Sequence, residues 1–255
     1  MDSSTCLSFG VESATRTWTA GALVRSKLTL VIVKYSMTRS YSQHCTLAHA
    51  LDQVGERWTL LIVRELLTGP RRYTDLARGL VTVPTNVLAS RLHDLEAFKL
   101  VTRRRLPAPA DQVVVYELTE EGAALSDAVA ALARWGQRTL PPTVDGRVFQ
   151  ARWLILAMEA RFNPEAATGV NESYQLQIDD EEPVYFTVKD GNGQARPGTT
   201  PEPAVSVKAD AETLLALANG AITIPDATAK GARVEGTPDA VQRMLEILPA
   251  PAPTE

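Results

Sequence analysis

Cysteine is almost missing from this 255-residue chain, which has only Cys6 and Cys45. So small a supply excludes a disulfide framework. Histidine is nearly as scarce, and three His with two Cys show no ligand spacing, so no metal or cofactor is expected. No apolar run approaches the ~18 residues of a membrane-spanning helix, and no membrane partner is expected. The short segment LTLVIV at 28–33 lacks the flanks of a secretory signal. The chain also lacks a Ser/His/Asp order, a phosphate-binding glycine loop and paired catalytic carboxylates. Together these absences argue against an enzyme and fit a reducing, cytoplasmic setting.

Hydrophobic residues make up 45% and charged residues 22%, enough apolar material for globular cores. The length suits one or two domains. The formal net charge of -4 hides an asymmetry. Residues 38–140 carry 13 basic and 11 acidic side chains, a balance of +2, and the inner stretch 44–106 reaches +4 with ten against six. Residues 141–255 carry 9 basic and 17 acidic side chains, a balance of -8. A basic first half joined to an acidic second half points to two domains with different partners. The acidic half would repel a polyanion.

Residues 1–41 are rich in Ser and Thr and show no sustained period, which reads as a weakly ordered extension with a strand at 28–33 as an option. Met37 stands just before the first organised segment, so Met1 and Met37 both remain open as the start. Leu47, Ala50, Leu51 and Val54 then recur at helical spacing, and Gly55 ends that helix. A helix at 59–67 is apolar nearly all round, which predicts full burial, and Gly69-Pro70 stops it. Thr74 is the expected N-cap of a short helix at 75–80. Pro84 opens a helix at 84–97, whose buried stripe is Leu88, Leu92 and Leu95. Strands at 101–106 and 113–118 flank a loop at 107–112. One long helix is expected from Thr119 to about Leu140.

Pro141-Pro142 reads as a hinge. Beyond it the pattern predicts a helix at 148–162, strands at 174–178 and 184–188, a turn at 191–193 and a strand at 204–207. A helix at 211–218 follows, capped by Asp210 and ended by Asn219-Gly220, then a strand at 231–235 and a helix at 238–248. The expected architecture is α+β: a winged helix-turn-helix domain at 42–140, a smaller α+β domain at 146–249, and a disordered tail at 250–255.

Helix, helix, short helix, turn, helix, hairpin and helix is the order a winged helix requires. Its second helix-turn-helix helix enters the major groove, where each base pair shows its own donor and acceptor pattern. Here that helix is 84–97, and its outer face carries Thr85, Asn86, Ser90 and His93. Arg103, Arg104 and Arg105 stand in the first wing strand, placed to neutralise phosphates or enter the minor groove. Arg71 and Arg72 precede the short helix at a second place where such domains touch the backbone. Each set alone also fits an ordinary solvated face. Two basic runs flanking one polar helix favour double-stranded DNA as partner.

Several stretches resemble the HxlR family of bacterial regulators: CTLAHAL at 45–51, GERWTLLI at 55–62, RELLTGPRRYTDL at 64–76 and VLASRL at 87–92. Leu95-Glu96, Leu100-Val101, YELTEEG at 116–122 and ARWG at 133–136 continue the likeness over about a hundred residues. The resemblance implies a homodimer, assembled through the first and last helices of the domain, that binds inverted-repeat operators. Arg91 matches an Arg of the family, with an internal salt bridge and a phosphate contact both open. Cys45 matches a Cys that some members use to sense oxidants, against the reading of an inert thiol.

Residues ADAETLLALANG at 209–220 and AKGARVEG at 229–236, with the terminal helix, resemble a sterol-carrier-protein-like domain. That likeness implies a curved sheet and helices around an apolar tunnel for a hydrophobic ligand. Trp153, Leu156, Phe162, Tyr174, Tyr185, Phe186, Leu214, Leu217 and Met244 are the candidate lining, and a filled core remains the other reading. The acidic run DDEE at 179–182 reads as a solvated turn, with a cation site as the alternative. The function these features imply is a DNA-binding transcriptional regulator with a ligand-binding C-terminal domain. The alternative is a lipid carrier that keeps its winged helix only for dimerisation.

Overall fold

The computed structural model describes residues 40–107, 113–141 and 146–250. The expected extension as far as residue 39, including the optional strand, lies outside the described residues. So do most of the wing loop, Pro142 of the hinge and residues 251–255 of the tail.

The first half is a winged helix. Helices α1 (Thr46–Val54), α2 (Thr59–Leu67), α3 (Tyr73–Gly79) and α4 (Thr85–Ala97) precede the antiparallel hairpin of β1 (Val101–Leu106) and β2 (Val113–Leu118). Pro84 sits at the N-cap of α4, one position outside the helix, where its missing N–H costs nothing. Leu88, Leu92 and Leu95 turn inward as their spacing requires, meeting Ile62, Val63, Leu66 and Leu76 in one core. The α2 helix is less enclosed than its composition suggests, because Leu61 is 40% exposed.

Departures from the expected helix boundaries begin at α3. Thr74 is not a cap. The α3 helix starts at Tyr73, and the Asp75 carboxylate in its first turn accepts from the Arg72 N–H at 3.4 Å. The single helix expected from Thr119 is two, α5 (Glu120–Ala123) and α6 (Ser126–Gln137). At the break the Leu125 N–H donates to the Gly122 carbonyl, three residues back instead of four, which tightens the turn.

In the second half α7 (Trp153–Arg161) leads into β3 (Asn171–Ile178), β4 (Val184–Lys189), β5 (Asn192–Pro197) and β6 (Val205–Ala209). Then come α8 (Ala211–Ala218), α9 (Ile224–Ala229), β7 (Arg233–Gly236) and α10 (Pro238–Ile247). Among the described residues the strands form a five-stranded sheet in the order β5-β4-β3-β6-β7, with β3 and β6 parallel. Tyr174, Ile178, Val184, Phe186, Val205 and Ile247 pack its core.

The turn expected at 191–193 is placed differently. Lys189 pairs with Asn192, so Asp190 and Gly191 make the two-residue turn, with φ of 51° and 76°. Positive φ at both positions matches the twist of the flanking strands. Asn192 and Gly193 therefore belong to a strand. The α7 helix starts five residues later than expected, at Trp153. Asp210 caps α8 as expected, accepting from the Thr213 N–H at 2.8 Å.

Candidate nucleic-acid interface and apolar cavity

The outer face of α4 presents Thr85, Asn86 and His93 to solvent, with Ser90 half-buried beside them. The start of the helix is braced from α3, because the Tyr73 hydroxyl donates to the Thr85 carbonyl at 2.9 Å. Polar side chains thus stand on a helix whose opposite stripe is locked in a core.

The wing carries its arginines on both faces. Arg103 pairs with Glu96 of α4 at 2.7 Å and lies 5.2 Å over the Tyr116 ring. Arg104 pairs with Glu117 at 2.8 Å. Both remain about half exposed, at 52% and 49%. Exposed pairs of this kind contribute at most about 1 kcal/mol, so they yield readily to a phosphate. Arg105 is exposed in the same strand.

The other basic candidates divide. Arg72 is exposed at the start of α3, whereas Arg71 is half-buried. Arg71 exchanges two backbone hydrogen bonds with Tyr116 of the wing, at 2.9 and 2.7 Å, and its guanidinium donates to the Thr68 hydroxyl at 2.8 Å. Burial, then the neighbouring Arg152, pulls the Arg71 guanidinium below its ordinary range. Arg71 joins wing to helices. Arg91 takes the first of its two open readings in this structure: it pairs with Asp94 at 2.7 Å and Glu56 at 3.4 Å.

Cys45 is exposed at the N-cap of α1. Its thiol lies below the usual range because the backbone N–H groups of Ala48 and then Leu47 favour the thiolate. Among the described residues, no cluster of His, Cys, Asp and Glu could hold a metal. In the acidic run, Glu181 accepts from the Ala151 N–H at 2.9 Å and Asp180 pairs with Lys208 at 3.6 Å.

The C-terminal half contains an open-sided cavity of about 490 Å³. Small-molecule sites span roughly 300–1,000 Å³. Its wall draws on α7 (Leu154, Ala157, Met158 and Arg161) and on Leu214, Leu217 and Met244. Ile222, Ile224 and Leu245 extend it. Arg161 is the one charged residue in the described lining. Its guanidinium donates to the Ala218 carbonyl at 2.8 Å and the Asn219 side-chain oxygen at 2.7 Å. Its Nε is buried without a partner, and burial pulls the group below its ordinary range.

Of the candidate lining, Leu214, Leu217 and Met244 reach the cavity. Phe162 instead packs against the solid core, its ring tilted 5.4 Å from that of the buried Phe186, and Tyr174 is fully buried there. Tyr185 alternates with Phe186 along β4 and lies on the other face. Trp153 and Leu156 turn toward the winged helix. The Trp153 indole N–H donates to Glu65 at 2.8 Å, and Leu156 packs on the N-terminal core. The α7 wall was legible in the spacing of Leu154, Ala157, Met158 and Arg161, which recur one to two turns apart on one face.

This fold is a winged helix-turn-helix followed by a sterol-carrier-like α+β domain. Residues 53–144 match the HxlR-like helix-turn-helix family, and residues 155–245 match the SCP-2 sterol transfer family. The HTH-type transcriptional regulator YodB of Bacillus subtilis (strain 168) is 32% identical over 93 residues, which are 36% of this chain and 82% of that protein. An uncharacterized HTH-type transcriptional regulator of Mycobacterium tuberculosis (strain ATCC 25618 / H37Rv) is 43% identical over 97 residues, 38% of this chain. The chain spans 60% of the length of that relative. A solved structure of the reduced form of YodB aligns at 31% identity and a TM-score of 0.34, covering 39% of this chain and 98% of that one. The chain belongs to the HxlR-like helix-turn-helix family.

Proposed function

We propose that this protein is a transcriptional regulator that binds an inverted-repeat operator as a homodimer. Two copies present α4 to successive major grooves, and Arg103, Arg104 and Arg105 engage the adjoining backbone or minor groove. The observation that carries this reading is the solvent-facing row of Thr85, Asn86 and His93, beside a half-exposed arginine wing. Dimerisation is supported by large apolar side chains left in water on two helices. These are Leu47 and Leu51 on α1, and Leu132 and Trp135 on α6, with Trp135 68% exposed. The C-terminal cavity takes an apolar molecule. Cys45, with its lowered thiol pKa and open position, serves as an oxidant sensor.

The test is to replace Arg103, Arg104 and Arg105 together with Ala. Affinity for DNA should fall across all sequences, and the dependence of log K on log salt should flatten by about 0.9 for each phosphate no longer neutralised. Unchanged affinity refutes the wing assignment. If the protein were instead a carrier dimerised by its winged helix, the variant would leave ligand binding intact and DNA binding would be negligible from the start.

A further inference from the structure

The α7 helix has two occupied faces. Leu154, Ala157, Met158 and Arg161 line the cavity, while Trp153 and Leu156 meet the winged helix. We propose that α7 is the arm through which the cavity's occupant sets the DNA affinity of α4, by way of Trp153, Glu65 and Gly79. This rests on the reading that the winged helix binds DNA and the cavity takes an apolar molecule.

The link is short and polar. Glu65 of α2 is 1% exposed. One of its carboxylate oxygens accepts from the Trp153 indole at 2.8 Å and from Arg64 at 2.7 Å. The Arg64 guanidinium lies 4.3 Å over the Trp153 ring, which clamps the indole from above. The second Glu65 oxygen has no partner. It faces Gly79, where an added Cβ would sit 2.8 Å away. Gln150, just before α7, also donates to the Gly79 carbonyl at 3.4 Å.

Gly79 closes α3, and the turn to α4 begins there. The Tyr73 hydroxyl bond to Thr85 ties the start of α3 to the start of α4. The path therefore leads from α7 through Trp153 and Glu65 to α3, and from α3 to the start of the reading helix. A buried carboxylate held by one indole and one guanidinium has few alternative positions, since losing either donor strands its charge. Such a link favours discrete arrangements over gradual drift. A molecule seated between α7 and α8 presses on the same helix of about two and a half turns that carries Trp153. It shifts DNA affinity to the extent that it favours one arrangement.

The experiment uses the full chain, a duplex selected from a random pool, and cis-parinaric acid, an apolar probe that fluoresces on binding. With the wild type, saturating probe should change the Kd for DNA by about fivefold or more, the lower end of ordinary coupling between sites. Trp153→Phe keeps the ring over Arg64 but removes the N–H. It should retain both probe and DNA binding while losing the response. Leu217→Trp, which fills the cavity from α8, should move the probe-free Kd in the same direction as the probe does. Two results overturn the inference alone: a wild-type Kd indifferent to bound probe, or a full response persisting in both Trp153→Phe and Glu65→Gln. Absence of probe fluorescence or of DNA binding in the wild type would overturn the reading beneath it, and the inference with it.

Discussion

Arg91 stands where the outer face of α4 meets its core stripe, with Asp94 at 2.7 Å and Glu56 at 3.4 Å. Asp94 is 8% exposed, so deleting the guanidinium leaves a buried carboxylate short of a donor. Arg91→Ala should lower the free energy of unfolding by about 1–3 kcal/mol, read from the midpoint of a urea titration. The DNA affinity of the protein that stays folded should change less than in Asn86→Ala. An unmoved midpoint would return Arg91 to the DNA backbone. Cys45 gives a pH test. Backbone N–H groups stabilise its thiolate, so the thiolate persists to lower pH than in an ordinary cysteine. The rate of alkylation by iodoacetamide should reach half its maximum below the ~8.5 of an unperturbed thiol. A midpoint at or above that value would contradict the assignment.

At the level of elements, Gly122 fixes how α5 meets the root of the wing. A Cβ there would collide with the Leu100 carbonyl, and backbone cannot yield as a flexible side chain does. Gly122→Ala should cost several kcal/mol, on the order of the largest core substitutions, and show as loss of soluble protein or a steep fall in Tm. The reading helix invites a different test. Asn86→Ala should change which bases are preferred at one operator position, at about 1–3 kcal/mol for the hydrogen bonds to one base. An identical preference in a selection experiment would remove α4 as the reader. The elements that the sequence revealed best were those with strong periods and clear ends. The boundaries of α2, β1, β2 and α8 follow from apolar spacing with Gly, Pro or Asp at the margins. The sequence NGQARP of β5 has few β-favouring side chains and pairs because β4 offers it an open edge. The short α9 was announced by Pro225 in its first turn and by Thr223 and Asp226, whose side chains cap it reciprocally. Cavity and core also look alike in sequence. Apolar periodicity marked Phe186 and Leu217 equally, yet one fills the core and the other lines a hollow.

Across the whole molecule, charge and apolar surface are divided between the halves. The basic inner stretch of the winged helix contrasts with the -8 balance of residues 141–255. On the proposed duplex, that polarity should turn the acidic domain away from the phosphates. The pairing of Trp153 with Glu65 shows why domain reading from sequence reached only so far. The expected fold class, a winged helix followed by a sterol-carrier-like α+β domain, is the one observed, but a hydrogen bond between residues 88 positions apart leaves no local pattern. Operator binding by a paired winged helix is tested most directly by selecting random duplex DNA with the full chain and footprinting the winning sequences. The enriched sequences should carry two matching halves in opposite orientation, both protected from cleavage. Recovery of no preferred sequence, or protection of a single unpaired stretch, would contradict it.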